Sequence, residues 1–254
     1  MVSRSLTALV RDLRLRKGRE RRGLTLAEGV RLVEEALAAG VTIRQVLSSP
    51  ALESTARGRR LQADLITSGH PVEAIGEKEF DSLAATENPQ GILAVIEPPS
   101  WNFEQVRVEA GKPALVLDAV QDPGNVGTLI RTAWGLGAAG VISLPGTAEI
   151  TNPKVLRASM GGAFRIPCVP ATESELQAWT RQNRVTTLIA DASAALPARG
   201  KRRIALVVGN EGAGVRESLH QWADEKVGIP LEQGAESLNV AIAAGILLYE
   251  VTRE

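Results

Sequence analysis

Apolar positions along the chain fall into two recurring arrangements, a helical spacing and short uninterrupted runs, and their alternation predicts two α/β units. In the first, from Leu24 to Pro99, Val30, Val33 and Leu37 share one face of a helix predicted over Ala27 to Ala39, with Gly40 placed to end it. "VTIRQVLSS" reads as a strand, Leu52 to Ser68 as a helix, "PVEAIG" as a strand, Lys78 to Ala85 as a helix and "GILAVIE" as a buried strand. Pro98, Pro99 and the mostly polar "SWNFEQVRVEAGKP" predict a linker. Beyond it, "ALVLDAV", "GVISLP", "TTLIADA" and "IALVVGN" are apolar throughout, as strands of a parallel sheet covered on both faces must be. The expected organisation is an N-terminal arm over 1–22, a small α/β domain over 23–99, a linker over 100–112 and a larger doubly wound α/β domain over 113–254. Folds of the last kind bind ligands at the carboxyl ends of their strands.

Glycine and turn residues gather at those ends. In "LVLDAVQDPGNVGTLIRTAWGLGAAG", an apolar strand runs into Asp122, Pro123, Gly124 and Asn125, then opens a helix carrying Arg131. "GLGAAG" matches a dinucleotide fingerprint in letters only: it follows a helix and precedes a strand, the reverse of the phosphate-binding order, and reads as a helix stop. "GNEGAG", Gly209 to Gly214, has the right order but the spacing GxxGxG, and the chain has no P-loop. It is either a tight strand-to-helix turn or a loop whose backbone approaches a ligand, with Glu211 aimed at it. Taken singly, Asn125, Arg131, Glu211, Ser237 and Asn239 each read as a cap or turn residue.

Composition adds limits. A chain of 254 residues that is 44% hydrophobic can bury a substantial core. A lone cysteine, Cys168, leaves no intramolecular disulfide, and the N-terminus has no apolar stretch with a cleavage site, so a cytoplasmic location is expected. No apolar run is long enough to cross a bilayer, and no membrane association is expected. With two histidines and one cysteine there is no zinc ligand set, and no metal is expected; there is no GxSxG elbow either. Charge balances at 29 basic and 29 acidic residues, but residues 1–22 carry eight Lys or Arg against Asp12 and Glu20. Smaller basic clusters lie at Arg57, Arg59 and Arg60 and at Lys201, Arg202 and Arg203. Such clusters suit phosphate backbones or are merely solvated faces.

Together the polar strand-end residues resemble a family. "DPGNVGTLIRTA", "LVVGNEGAGV" and "IPLEQGAESLNVAIAAGI", in that order, are similar to the three signature motifs of the SpoU (TrmH) branch of the SPOUT RNA 2′-O-ribose methyltransferases. The resemblance covers Ala114 to Tyr249, and "LTLAEGVRLVEEALAAG" with "NPQGILAVI" resembles the family's small ribosomal-protein-like substrate-binding domain. Leu231 departs from the family, standing where many members have methionine. The resemblance implies a SPOUT domain with a parallel sheet and a trefoil knot, which general rules on connections would reject. It implies S-adenosylmethionine as cofactor, held largely by backbone around Gly209, Ile229 and Leu238, with Ala190 a further candidate. It implies methyl transfer to a ribose 2′-hydroxyl of RNA, ribosomal RNA ahead of transfer RNA, by a homodimer formed through the apolar "LNVAIAAGILLYEV". Arg131 would act on the hydroxyl, Asn125 would fix the sugar or the arginine, and Glu211, Ser237 and Asn239 would orient Arg131 and shape the site. Because an arginine stays protonated, its expected role is to bind phosphate and stabilise the developing alkoxide rather than to take the proton. Two other classes remain: a non-catalytic RNA- or ribosome-binding protein on the same scaffold, which intact motifs oppose, and a nicotinamide-dependent oxidoreductase, which lacks its phosphate loop.

Overall fold

A computed structural model describes residues 3–198, 200–233 and 237–253, so Gly234, Ala235 and Glu236 of the third motif lie outside the described residues. The chain divides into two compact units: one runs to Ser100 and includes Thr151–Phe164, the other comprises Trp101–Ile150 and continues from Arg165.

In the first unit the chain forms α1 (Arg4–Leu13), α2 (Arg16–Arg22), β1 (Thr25–Glu28), α3 (Val30–Ala38), β2 (Ile43–Ser48), α4 (Ala56–Thr67), β3 (Val72–Ala74), α5 (Glu77–Leu83) and β4 (Ile92–Ile96). Its sheet has the order β1-β4-β2-β3, with β4 antiparallel to both neighbours and β2 parallel to β3. The helix expected from Ala27 begins only at Val30. Gly29, at φ 102°, breaks the chain direction, and the Gln90 side chain accepts the Val30 N–H at 2.9 Å. Residues 25–28 instead pair with β4, Glu28 opposite Leu93. Glu28 hides the strand in the sequence because it is charged yet 4% exposed; its carboxylate accepts the N–H groups of Ala85 and Thr86 at 2.8 and 3.1 Å.

The segment expected as a basic arm is folded. Val10 and Leu13 are buried with Leu47, Phe80 and Leu93 in the core of this unit. Arg14 donates to the carbonyls of Leu83 and Ala84, and the buried Arg19 donates to those of Leu13 and Arg14 at 3.1 and 2.9 Å. Arg22 and Arg21 both bond the Asp12 carboxylate, which lowers its pKa. Much of this charge therefore serves helix packing rather than a loose tail. Arg19→Ala is expected to lower the unfolding free energy by about 1–3 kcal/mol, the cost of stranding buried acceptors. Denaturant midpoints measure this; a loss no larger than that of the exposed Arg4→Ala would mean the segment is an arm after all.

The rest of the chain forms β5 (Ala114–Leu117), α6 (Pro123–Gly135), β6 (Gly140–Ser143), α7 (Pro153–Ser159), β7 (Cys168–Pro170), α8 (Glu173–Asn183), β8 (Thr186–Ala190), β9 (Ile204–Val208), α9 (Glu217–Trp222), β10 (Glu225–Val227) and α10 (Val240–Thr252). The sheet of the second unit, β10-β8-β9-β5-β6-β7, is parallel at every pairing, as the four apolar runs predict. Alternate residues face opposite sides. Val116, Ile142 and Val207 meet Leu176, Trp179 and Leu219 on one side, while α10 packs on α6 and against β9. Leu117 is in register with Val208 and Ser143, which brings the carboxyl ends of β5, β9 and β6 to one level.

Two expected boundaries change. Residues 101–112 are not a free linker: Val106 and Val108 are buried in the second unit's core, and Phe103 stacks on Trp179 at 5.4 Å between ring centroids. The apolar residues hidden in that polar stretch give it something to bury. The domain expected over 113–254 is also interrupted, because α7 and its flanks pack on β1 of the first unit. Thr25 donates its hydroxyl to the Thr151 carbonyl at 2.6 Å, and Gly161, at φ 90°, lies so close that an added Cβ would stand 2.5 Å from Glu35 Cβ.

Candidate active site

The turn at the end of β5 is built residue by residue for close approach. Asp118 is buried, and Ala119 adopts a left-handed conformation at φ 54°, a strain of roughly 1–2 kcal/mol in an L-residue. Such strain persists where surrounding structure holds it. Asn210 does so here, donating from Nδ2 to the Ala119 carbonyl at 3.0 Å. Asp122 then caps α6 by accepting the Asn125 N–H at 2.8 Å, and Pro123 occupies the first helical position, where its missing donor costs nothing. The turn residues thus start a helix and leave the Asn125 side chain free to look outward.

What it meets is Glu211. Asn125 Nδ2 donates to Glu211 Oε1 at 2.9 Å, while the backbone N–H groups of Gln121 and Asp122 lie 3.4 Å from the same carboxylate. Asn239 Nδ2 donates to Asn125 Oδ1 at 3.1 Å, and its own Oδ1 accepts the Ala241 N–H at 2.9 Å at the start of α10. Glu211, Asn125 and Asn239 are therefore one chain of hydrogen bonds joining the ends of β9 and β5 to α10. Burial opposes ionisation of Glu211, but the bonds from Asn125 and the backbone outweigh it and hold its pKa below the ordinary value. A depressed carboxyl keeps the arrangement intact above the usual carboxylate range, and it is lost only as pH falls through the lowered value. Glu211 is accordingly expected to give no limb in a rate profile from about pH 5.5 upward. Glu211→Gln should lower the profile without changing its shape there; a limb near neutrality that vanishes in this variant would assign Glu211 a proton-transfer role.

Arg131 stands apart from this chain. It is exposed on α6, and no hydrogen bond or ion pair holds its side chain among the described residues. The expectation that Glu211, Ser237 and Asn239 orient it is not what the geometry shows: Glu211 and Asn239 converge on Asn125, and Ser237 is exposed with no side-chain bond among the described residues. Sequence reasoning also missed Asn210. Its Oδ1 accepts the N–H groups of Gly212 and Ala213 at 3.0 and 2.9 Å, closing the loop on itself. An asparagine just after an apolar strand, followed by glycine, was the available signal for such a turn.

Beside the chain opens a cleft of about 640 Å³, within the range of small-molecule sites. Gly209, Ile229, Leu238 and Ala190 line it together with Glu211, Ser237 and Asn239, whereas Asn125 and Arg131 do not. Its walls need glycine: a Cβ on Gly209 would stand 2.2 Å from the Gly214 carbonyl carbon, and one on Gly228 2.2 Å from the Asp191 carbonyl oxygen. Asp191, also on the cleft, is held at a pKa of about 2 by the Ser193 side chain and backbone and by Lys226. Close backbone, apolar Ile229, Leu231 and Leu238 and a carboxylate at the rim suit a cationic sulfonium nucleoside such as S-adenosylmethionine.

Comparison with known proteins gives the same assignment. Residues 112–249 match the SpoU rRNA Methylase family, and residues 9–94 match the MRM3-like substrate binding domain. The chain is 36% identical over 245 residues to the Bacillus subtilis 23S rRNA (guanosine(2553)-2′-O)-methyltransferase RlmP, covering 95% of this chain and 93% of that protein. Among solved structures, the SpoU methyltransferase AviRb from Streptomyces viridochromogenes in complex with AdoMet superposes with a TM-score of 0.87 at 28% identity, covering 99% and 97% of the two chains. An AdoMet-bound rRNA methyltransferase from Sinorhizobium meliloti superposes with a TM-score of 0.86 at 30% identity, covering 99% and 96%. With both parts of the chain matched, the chain belongs to the SpoU rRNA methylase family and is an S-adenosylmethionine-dependent RNA 2′-O-ribose methyltransferase.

Proposed function

We propose that this chain methylates a ribose 2′-hydroxyl in ribosomal RNA, and that Arg131 is its RNA-facing catalytic residue. The observation that carries the reading is a division of labour: Asn125, Glu211 and Asn239 bond one another, while Arg131 is exposed beyond them without a partner among the described residues. The cofactor supplies a methyl group on a positively charged sulfur. Gly209, Ile229, Leu238 and Ala190 hold that cofactor, and Asn125 sits with its amide fixed at both ends, ready to position the sugar. Arg131 would bind the neighbouring phosphate and stabilise negative charge growing on the 2′-oxygen when that oxygen takes the methyl group from the sulfonium, with the hydroxyl proton leaving to phosphate or water. Tight passage of Gly228 against Asp191 and Ala194 supports a knotted path for the C-terminal segment.

The reading extends to assembly. Ile242, Ile246 and Tyr249 are exposed along one side of α10, which packs on α6, and such an apolar face supports a homodimer. Light scattering at micromolar concentration should return twice 27.0 kDa; a monomer with full activity would refute it. No helix among the described residues is long and apolar enough to cross a membrane. The decisive experiment is mass mapping of ribose methylation in RNA from a deletion strain, with calorimetric titration of the protein with S-adenosylmethionine. Loss of one 2′-O-methyl in ribosomal RNA is expected. Loss from transfer RNA instead, or no loss at all with intact cofactor binding, would overturn the substrate.

A further inference from the structure

We infer that the pair Asp118–Arg216, a buried carboxylate held by a half-buried guanidinium, is a positioning element that sets the cofactor loop, and with it Glu211, against the end of β5. Asp118 is 1% exposed at its side chain, directly after a fully apolar strand. Arg216, 98 residues later, is the residue before α9. Its backbone N–H donates to Asp118 Oδ2 at 2.8 Å and its Nε to Oδ1 at 2.7 Å, while Nη2 also contacts that carboxylate and donates to the Pro145 carbonyl at 2.8 Å. One guanidinium thereby ties together the ends of β5 and β6 and the start of α9.

The loop between Asn210 and Arg216 is a closed tab. Asn210 and Gly214 exchange backbone hydrogen bonds at 2.9 and 3.0 Å across its neck, and Glu211 to Gly214 line the cleft. Both ends of the tab are fastened to consecutive residues of one strand end, Asn210 to Ala119 and Arg216 to Asp118. A shift of this anchor moves Gly209 and Glu211 together, opening the cofactor wall and stretching the bond to Asn125. Apolar packing at the Asp118 position would hold the fold about as well as an ion pair with one buried partner does, but it has no direction. The forked contact does, because a planar guanidinium fixes both distance and angle.

Neutralising both partners separates positioning from stability. Arg216→Met strands a buried carboxylate and should lower the melting midpoint. The double variant Asp118→Asn/Arg216→Met removes that charge and should recover most of the midpoint. Its dissociation constant for S-adenosylmethionine should nevertheless stay weakened by roughly tenfold, as loss of an outer partner weakens a metal site, with kcat lowered and KM for RNA little changed. Arg216→Lys, which keeps the charge and loses the fork, should fold as the wild type and still bind the cofactor several-fold more weakly. If either the double variant or Arg216→Lys binds S-adenosylmethionine and turns over as the wild type does, the pair is structural only and the inference fails. The inference rests on the cleft being the cofactor site; a wild-type chain that bound no S-adenosylmethionine would refute that assignment instead.

Discussion

Arg131→Ala is expected to reduce methyl transfer by roughly 10²- to 10³-fold, the loss that follows removal of one preorganised donor from a developing oxyanion. Affinity for S-adenosylmethionine should stay within about twofold, because a residue without contact to a ligand contributes little to its binding. Arg131 does not line the cleft, and its side chain is exposed on α6. Nor does anything among the described residues hold it for a structural purpose, so the variant should melt with the wild type. Arg131→Lys should fail to restore the rate, since a point charge cannot bridge phosphate and 2′-oxygen as a planar fork can. Single-turnover transfer of labelled methyl, set beside calorimetric titration of the cofactor, separates the two quantities. Equal loss of both would move Arg131 from the RNA side to the cofactor side and end this role assignment.

How far the sequence led differs between elements for physical reasons. The parallel sheet was legible because β5, β6, β8 and β9 bury nearly every residue and so leave apolar runs. The edge strands were not: β10 is three residues long, and its Glu225 and Lys226 are exposed, so no run marks it. β1 was concealed by Glu28, whose burial depends on donors at Ala85 and Thr86, almost sixty residues away. The basic arm misled for a similar reason, since Asp12 and the carbonyls at the end of α5 absorb arginines that look free when counted. For the site, local pattern marked the strand-to-helix turns at 122–125 and 209–214, but not which side chains meet. Asn125 joins Glu211 across 86 residues and Asn239 across 114, a convergence set by strand register. Only the resemblance named those residues together, Asn125 to fix the sugar or the arginine and the others to orient Arg131 and shape the site; what the hydrogen bonds add is that Asn125, Glu211 and Asn239 hold one another. Asp118 was invisible for the opposite reason: it closes an apolar run and looked like strand.

The second large effect concerns the split of the chain into units. A chain beginning at residue 101 keeps every residue lining the cleft, so it should bind S-adenosylmethionine. It should not behave as an independent domain. Residues 151–164 pack on β1 and α3 in the whole protein, and with those elements gone Val155, Leu156, Ala163 and Phe164, each at most 4% exposed, lose the core they sit in. An uncovered apolar patch of this kind drives association. The shortened protein should therefore aggregate at concentrations where the full chain does not, and its methylation of ribosomal RNA should fall by at least about tenfold, since the substrate-binding unit's share of the affinity is gone. Substitution at Leu156 tests the cause by reversing sign. In the full chain Leu156→Ala removes a buried side chain and should cost about 2–5 kcal/mol. In the shortened chain the same change removes exposed apolar surface and should improve solubility with no loss of cofactor affinity. A shortened chain that stayed monomeric and methylated its RNA at the full rate would show that 151–164 folds back without the first unit, and that recognition resides in the catalytic unit alone.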